Sequence, residues 1–285
     1  MASTKFYNPK SLTEALDLLD AFREKAVVVN GGTDIVAQIA DGKVSPEAII
    51  YIQNVDELRD IRSGGGFVCI GGAATYARVL ASPDCKQFSA MIEAISQCGS
   101  PPIRAVGTPA GNIGTAAPAA DCNVALVALG AEIVLASKGG ERVVPAAEMF
   151  VGAWATQRKP GELIKEIRIP DMVNGAGSGF IKLAKRKAQD IAQVSAAVCL
   201  LAEGSVIKDI CVALGAVAPK TVRAQSFEAL AKGKAAQQAA ESVKNVIPNE
   251  ALLRNPRNKP YKEAVMGVAA ARAITQAFAD SERGN

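Results

Sequence analysis

The chain has 285 residues, of which 49% are hydrophobic and 21% charged, a balance typical of a folded globular protein rather than a disordered or fibrous one. Histidine is absent, which excludes Ser-His-Asp hydrolases, Cys-His proteases, HExxH zinc enzymes and proteins with histidine-ligated haem. The net charge of +4 and the aromatic content of 5% argue against a nucleic-acid-binding surface.

Short helices and strands alternate at the start of the chain. Apolar residues recur at helical spacing over Leu12–Phe22, with Ser11 or Thr13 as the cap. The run Ala26–Val29 is typical of a buried strand, and residues 30–33 follow it as a sharp turn. We expect Thr33 and Asp34 to open a short helix whose inward-facing residues are Ile35, Val36, Ile39 and Ala40.

The middle of the chain continues as strands, which we predict over residues 48–52 and 67–70. Residues 125–144 indicate two further strands around a turn at 138–140. Residues 170–179 are rich in turn-forming residues and are the best candidate for a linker, so we place a domain boundary near residue 175.

The C-terminal part begins with apolar runs at residues 194–201 and 207–217, which predict antiparallel strands joined at 203–205. The last 65 residues or so are rich in alanine and predict helices, apart from a break at residues 255–260.

The six cysteines lie at least twelve positions apart, so the chain has no CxxC pair of the kind that binds zinc or an iron–sulfur cluster. The N-terminus has neither an apolar signal core nor a glycine for myristoylation. The longest apolar stretch, residues 124–136, is too short to span a bilayer and is interrupted by Glu132. We expect a cytoplasmic protein that does not span a membrane.

Two glycine-containing segments are candidates for ligand binding. In the first, residues 28–35, two adjacent glycines follow a strand and precede a helix, which suits either an ordinary left-handed turn or a phosphate-binding turn. The second, residues 107–121, has almost no large side chains and is predicted to be a loop. Its Thr108, Thr115, Asn112 and Asp121 are suited to bind a polyhydroxyl chain, although a structural loop has a similar composition. The two segments together suggest an extended ligand with a pyrophosphate.

Four segments in order carry a resemblance to a known family: residues 30–34 (NGGTD), 110–121 (AGNIGTAAPAAD), 161–170 (GELIKEIRIP), and Lys182 followed by Asp-Ile-Ala at 190–192. Over about residues 4–280 the chain resembles the FAD-binding medium subunits of the molybdenum hydroxylases, the xanthine dehydrogenase and carbon monoxide dehydrogenase family.

The resemblance implies an α+β fold. Residues 1–175 would form a two-part FAD-binding region of the vanillyl-alcohol-oxidase/PCMH-like type, with two small α/β subdomains divided near residues 55–60. Residues 176–285 would form a C-terminal flavoprotein domain of antiparallel strands and helices.

The resemblance also implies the FAD-binding residues. Asp121 would contact the ribityl region, Ile164 would lie by the flavin ring, and Lys182 would approach the cofactor from the next domain. Ala110 departs from the family, which has glycine there, and its methyl group narrows the approach of the backbone to phosphate. The residues implied for the pyrophosphate end are Val28, Val29, Asn30, Gly31, Gly32, Thr33, Asp34, Ile35, Thr108, Ala110, Gly111, Asn112 and Ile113.

The family role implied is electron relay. An iron–sulfur small subunit and a molybdopterin large subunit would be the partners, in a dimer of heterotrimers, and FAD would pass electrons to NAD or another acceptor. No catalytic residue is assigned, because a flavin transfers electrons without a protein acid or base. The alternatives are a cofactor-free scaffold, favoured by Ala110, and a self-sufficient flavin oxidoreductase, for which we find no acid or base in a substrate pocket.

Other conspicuous side chains have simpler interpretations. Glu162 and Glu166 are interpreted as surface ion pairs, because Lys165 and Arg168 lie in the same segment. Trp154 and Tyr76 are interpreted as packing residues. For Lys185 and Arg186 a solvated strand face is preferred to a role in stabilising negative charge.

Overall fold

A computed structural model describes residues 4–255 and 258–283. The strands of these residues are β1 Lys5–Tyr7, β2 Ala26–Val29, β3 Ala48–Tyr51, β4 Ile61–Gly64, β5 Phe67–Gly71, β6 Glu132–Ser137, β7 Gly140–Pro145, β8 Phe150–Gly152, β9 Ala155–Thr156, β10 Leu163–Pro170, β11 Ala176–Leu183, β12 Val194–Glu203, β13 Val206–Gly215 and β14 Val222–Arg223. The α-helices are α1 Leu12–Phe22, α2 Ile35–Ala40, α3 Tyr76–Ala81, α4 Ser89–Ser96, α5 Pro101–Val106, α6 Pro109–Thr115, α7 Asp121–Ala128, α8 Ala146–Met149, α9 Gln225–Ala231, α10 Ala236–Lys244 and α11 Lys259–Ser281.

A small parallel sheet with the order β1-β3-β2 begins the fold. Helix α1 buries Ala15 and Leu19, and the Ser11 hydroxyl caps it by accepting a hydrogen bond from the Glu14 N–H, as expected for an N-cap serine. The predicted helix and its cap are confirmed. Helix α2 is also present, but the inward orientation predicted for Val36 and Ala40 is wrong, because both are exposed on a helix of only six residues.

The second sheet is antiparallel, with the order β4-β5-β10-β6-β7. The predicted hairpin around residues 138–140 is present as β6 and β7. The strand expected to begin at residue 125 is wrong, because Asp121–Ala128 forms helix α7. Every residue of α7 is buried. A helix that is buried on all sides has no amphipathic period, so the sequence pattern did not distinguish it from a strand.

The third sheet, β11-β12-β13-β14, belongs to the C-terminal part of the chain and is antiparallel. The predicted hairpin at residues 203–205 is confirmed. The predicted linker is too long, because residues 176–179 already belong to β11 and only 171–175 lie between strands. Gly177 and Gly179 of β11 have no side chain, which allows helix α11 to pack closely on this strand. Of the predicted break at 255–260, residues 256 and 257 lie outside the described residues.

The α+β class predicted from the sequence is confirmed by this arrangement and by the structural neighbours reported below. The predicted domain boundary near residue 175 lies in the connection between β10 and β11, and the division near residues 55–60 lies between β3 and β4. Both boundaries stay predictions.

Two aromatic residues have opposite environments. Tyr76 is buried, as predicted for a packing residue. Trp154 is 63% exposed, so its interpretation as a packing residue is wrong. It lies at the tip of the hairpin between β8 and β9 with a left-handed φ of 61°, and its N–H donates to the Ala116 carbonyl. This backbone turn directs the side chain outward.

Glu162, directly before β10, and Glu166, within β10, are paired, as predicted, but they are buried rather than on the surface. Glu162 accepts hydrogen bonds from Arg142 at 2.7 and 2.9 Å. Glu166 accepts from Arg62 at 2.6 Å and from Arg168 at 2.7 Å. Burial by itself raises the pKa of Glu166, but the hydrogen bonds from the two guanidinium groups outweigh it and lower the pKa below 4.5.

Glu166→Gln is expected to lower the free energy of unfolding at pH 7 by about 1–3 kcal/mol, because it removes two charge-assisted hydrogen bonds from a buried group. Since the folded-state pKa is lowered, the stabilisation by Glu166 is fully present above its ordinary value of 4.5 and is lost as the pH falls through the folded-state pKa. The difference between wild type and variant in urea denaturation should therefore shrink below that value.

Glu241→Gln is the control for this measurement, since Glu241 pairs with Lys244 on the surface. It should change stability by less than about 0.5 kcal/mol. A difference between wild type and Glu166→Gln that does not vary with pH would contradict the stated role of the carboxylate.

Candidate functional site

The first glycine turn connects β2 to α2 and lies against the end of α5. A Cβ atom on Gly31 would lie 2.1 Å from the Val106 carbonyl oxygen, and Gly32 has a left-handed φ of 68°. Both positions therefore require glycine, for different reasons. In the described part of the chain, no hydrogen-bond acceptor takes the backbone N–H groups of Gly31, Gly32, Thr33 or Asp34. Four successive N–H groups without an acceptor at a turn are candidates for binding an anion.

The second glycine-containing segment is mostly helical, which corrects the predicted loop. Pro109–Thr115 forms α6, in which Pro109 occupies the first turn, the Thr108 hydroxyl caps the helix by accepting from the Gly111 N–H at 2.9 Å, and Ala116 ends it with a φ of 51°. Proline in the first turn and a threonine cap favour a helix even in a segment of small residues. The Asn112 N–H donates to the Thr108 carbonyl, so this segment does not present free N–H groups in series as the first turn does.

The two segments meet although they are distant in the sequence. The Asp34 carboxylate accepts hydrogen bonds from the Thr115 hydroxyl at 3.2 Å and from Gln38 at 2.8 Å. Gly31 lies directly against Val106, which precedes the second segment. The structure thus brings both candidate segments to one site.

Ile164 is connected to this site through Gly72. The Asn30 amide donates to the Gly72 carbonyl at 3.0 Å, and the Gly72 N–H donates to the Lys165 carbonyl at 2.7 Å. A Cβ atom on Gly72 would lie 2.0 Å from the Ile164 carbonyl oxygen. The Ile164 side chain is only 7% exposed and packs into the core.

Asp121 and Lys182 pair with each other. The Lys182 ammonium lies 2.6 Å from the Asp121 carboxylate, and the two side chains are 7% and 6% exposed. Burial raises the pKa of Asp121 to about 6, against the opposing effect of Lys182. The pair joins the start of α7 to β11.

Buried oxygen atoms without a hydrogen-bond partner concentrate around the second segment and its neighbours. They include Asn30 Oδ1, Asn112 Oδ1, Asp121 Oδ1 and Asn123 Oδ1. Buried polar atoms are normally paired, so such a group indicates a ligand that donates hydrogen bonds. All four oxygens are acceptors, which suits the hydroxyl groups of a ribityl chain or a ribose. Asn123 was not identified from the sequence, although its position two residues after Asp121 was a signal.

Ala110 does not project its methyl group towards an open surface. The residue is 4% exposed and packs in the same hydrophobic core as Ile113, which is itself 1% exposed. The substitution that favoured a cofactor-free scaffold is therefore accommodated in the core.

A cavity of about 300 Å³ adjoins Lys182. It is lined by Leu183 at the end of β11, by the loop of residues 184–190, and by Gln97 and Tyr261. Arg186 pairs with Asp190 and is 70% exposed, which agrees with the solvated position expected for it, although on a loop rather than a strand. Tyr261 was missed in the sequence, because it lies 79 positions after Lys182 and follows no local motif.

Comparison with known proteins gives the family. Residues 2–172 match the FAD binding domain in molybdopterin dehydrogenase, and residues 179–277 match the CO dehydrogenase flavoprotein C-terminal domain. This chain belongs to the FAD-binding medium subunits of the molybdenum hydroxylases. The resemblance noted in the sequence is confirmed, and so are the oxidoreductase class and FAD as the cofactor of this medium subunit.

Two relatives match this medium subunit along most of their length. It is 31% identical over 281 residues to the carbon monoxide dehydrogenase medium chain of Hydrogenophaga pseudoflava, covering 96% of this chain and 97% of that one. It is 32% identical over 230 residues to the glyceraldehyde dehydrogenase medium chain of Sulfolobus acidocaldarius, covering 80% and 81%.

A solved structure has the same fold as this medium subunit. It is carbon monoxide dehydrogenase from Hydrogenophaga pseudoflava lacking the Mo-pyranopterin moiety of its molybdenum cofactor. The TM-score is 0.89 at 31% identity, over 97% of this chain and 98% of that one.

Among residues 4–255 and 258–283, no group of three or more Cys, Asp and Glu side chains is placed to hold a metal ion. Within the same residues, none of the helices combines the length and hydropathy needed to cross a membrane. All six cysteines are free thiols.

Proposed function

We propose that this medium subunit binds FAD between its two glycine-containing segments and β11, and that it relays electrons. The observation that carries the proposal is the first glycine turn, where four successive backbone N–H groups have no acceptor in the described part of the chain. A pyrophosphate is dianionic and accepts such hydrogen bonds, so Gly31, Gly32, Thr33 and Asp34 would hold it.

The rest of the cofactor is proposed to extend from this turn towards Lys182. The unpaired oxygens of Asn112, Asp121 and Asn123 would accept hydrogen bonds from ribityl hydroxyl groups. Ile164 and Lys182 would lie at the flavin end. When bound, FAD supplies the electron-transfer chemistry. The chain binds and orients it and holds a positive charge at Lys182.

The proposed partners are an iron–sulfur small subunit and a molybdopterin large subunit, arranged as a dimer of heterotrimers. Medium chains of carbon monoxide and glyceraldehyde dehydrogenases are similar to this one, so we place the substrate pocket in the large subunit. NAD or another carrier is proposed as the final acceptor. The cytoplasmic location stays a prediction from the sequence.

The visible absorption spectrum of the purified chain, before and after addition of FAD and gel filtration, tests this proposal. Flavin bands at about 370 and about 450 nm should remain with the protein. Gly32→Val should weaken FAD binding by about tenfold or more, because valine disfavours a φ of 68° and its Cβ atom would lie 2.8 Å from Val36.

The matched control is Gly65→Val, at a glycine with a similar φ of 65°, no neighbouring atoms within 4 Å and a position in the β4–β5 turn. It should keep the flavin. A folded wild-type chain that never retains FAD, even with its partner subunits, would overturn the proposed function and leave the scaffold alternative.

A further inference from the structure

The ion pair between Asp121 and Lys182 is the feature from which we draw a further inference. Its two charges lie 2.6 Å apart with almost no solvent contact, one on α7 and the other on β11. The Lys182 ammonium also donates to the Gln97 carbonyl at 3.4 Å. Lysine and aspartate are seldom so completely buried unless each neutralises the other.

Other titratable groups surround the pair, and the cavity beside Lys182 is also lined by the charged side chains of Lys185, Arg186, Lys187 and Asp190. Facing the pair are the Tyr76 hydroxyl from α3, the Cys98 thiol after α4 and the Cys122 thiol on α7. Burial raises the pKa of each of these groups, so all three are neutral near pH 7. Arg104 on α5 is a further cation that acts on Cys98. The net charge of the Asp121–Lys182 pair is therefore zero, and loss of either partner leaves one uncompensated charge in a region of low dielectric constant.

Only the lysine of the pair borders a cavity, and the aspartate keeps one oxygen without a partner. Lys182 lines the cavity of about 300 Å³, and Asp121 Oδ1 is buried without a hydrogen-bond partner. One carboxylate oxygen of Asp121 thus bonds to Lys182, and the other has no hydrogen-bond partner among the described residues.

We propose that Asp121 is a positioning residue that holds and neutralises the Lys182 ammonium, and that this neutralisation prevents the lysine charge from raising the reduction potential of the bound flavin. This inference rests on the proposed FAD-binding function. Reduction adds negative charge to the flavin, so a nearby net positive charge favours the reduced form and a net negative charge favours the oxidised form. Because the pair is neutral, the effects of the lysine and aspartate charges on the potential cancel.

The test compares two single charge variants and the double variant in the FAD-loaded full chain, or in its complex with the partner subunits. The midpoint potential is measured by titration with dithionite against a reference dye at pH 7 to 9. Asp121→Asn leaves the lysine charge and should raise the potential, whereas Lys182→Met leaves the carboxylate and should lower it. Each shift should correspond to at least a tenfold change in the equilibrium, or about 30 mV for a two-electron couple. The double variant should return close to wild type.

The pH profile adds a second readout. Lys182 lowers the pKa of Asp121, so in a chain without Lys182 the pKa of Asp121 should rise above about 6. The lowering of the potential in Lys182→Met should therefore be largest at pH 9 and shrink towards pH 7, because the carboxyl group takes up a proton. Asp121→Asn should show no such profile.

The matched control is the Glu203–Lys208 pair, which has the same 2.6 Å separation but is exposed, at 73% and 53%. Its variants Glu203→Gln and Lys208→Met should leave the potential unchanged, since water screens the charges. Thermal unfolding of the apo-protein checks that each variant folds. Opposite shifts that cancel in the double variant support the inference.

Shifts of the two single variants in the same direction, or no shift, would overturn it and leave a merely structural pair. Absence of FAD from the folded wild type is a different result, because it would contradict the proposed function itself.

Discussion

Gly31→Ala is expected to abolish retention of FAD and to lower the free energy of unfolding by about 3 kcal/mol, the upper part of the range for overpacking. The new Cβ atom would lie 2.1 Å from the Val106 oxygen and 2.4 Å from the Val106 carbon. Both are backbone atoms, so no side-chain rotation relieves the clash. The turn or the end of α5 must move, and the four N–H groups without an acceptor then change position.

FAD binding is measured by absorbance after gel filtration, and stability by urea denaturation. Gly64→Ala is the control, because Gly64 has neither a left-handed φ nor any atom within 4 Å of its Cβ position. It should retain FAD and wild-type stability. If Gly31→Ala binds FAD with wild-type affinity, the first turn is not the pyrophosphate site.

Gly177→Ala should give the second largest effect, on stability rather than on the cofactor. Its Cβ atom would lie 2.2 Å from the Ala277 carbonyl oxygen and 2.3 Å from the Ser281 nitrogen, both backbone atoms of α11. Helix α11 packs on β11 and β12 through small residues, including Ala273. The substitution forces the helix away from the sheet and should cost about 3 kcal/mol, which is a fall of roughly 5–10 °C in Tm.

Differential scanning calorimetry measures this change. Gly152→Ala is the matched control, since Gly152 is also a strand glycine and a Cβ atom there would only meet Ala155 at 3.9 Å. Its Tm should stay within about 2 °C of wild type. An unchanged Tm in Gly177→Ala would mean that α11 has room to shift, contrary to the packing described.

Segments with a clear period were predictable from the sequence because their structure is decided locally. The helical spacing and the serine cap were enough for α1, and the turn at residues 203–205 was enough for the β12–β13 hairpin. The helices α6 and α7 were not predicted from the sequence, for two different reasons. The small residues of α6 give no pattern, and α7 is buried on every side.

The same division applies to the candidate site. The first turn was predictable because adjacent glycines between a strand and a helix have few conformations to choose from. The partners of its residues were not, since Thr115 lies 81 positions from Asp34. The pairing of Asp121 with Lys182, 61 positions apart, likewise required the structure, and so did the inward packing of the Ala110 methyl group.

The sequence alone determined the family, the α+β class and the two segments that carry the candidate site, because these depend on local motifs in a fixed order. Only the tertiary structure decided which N–H groups and oxygens lack partners, and which charges neutralise each other. Those properties depend on atoms from distant segments that share one low-dielectric interior, and no local pattern specifies which of them meet.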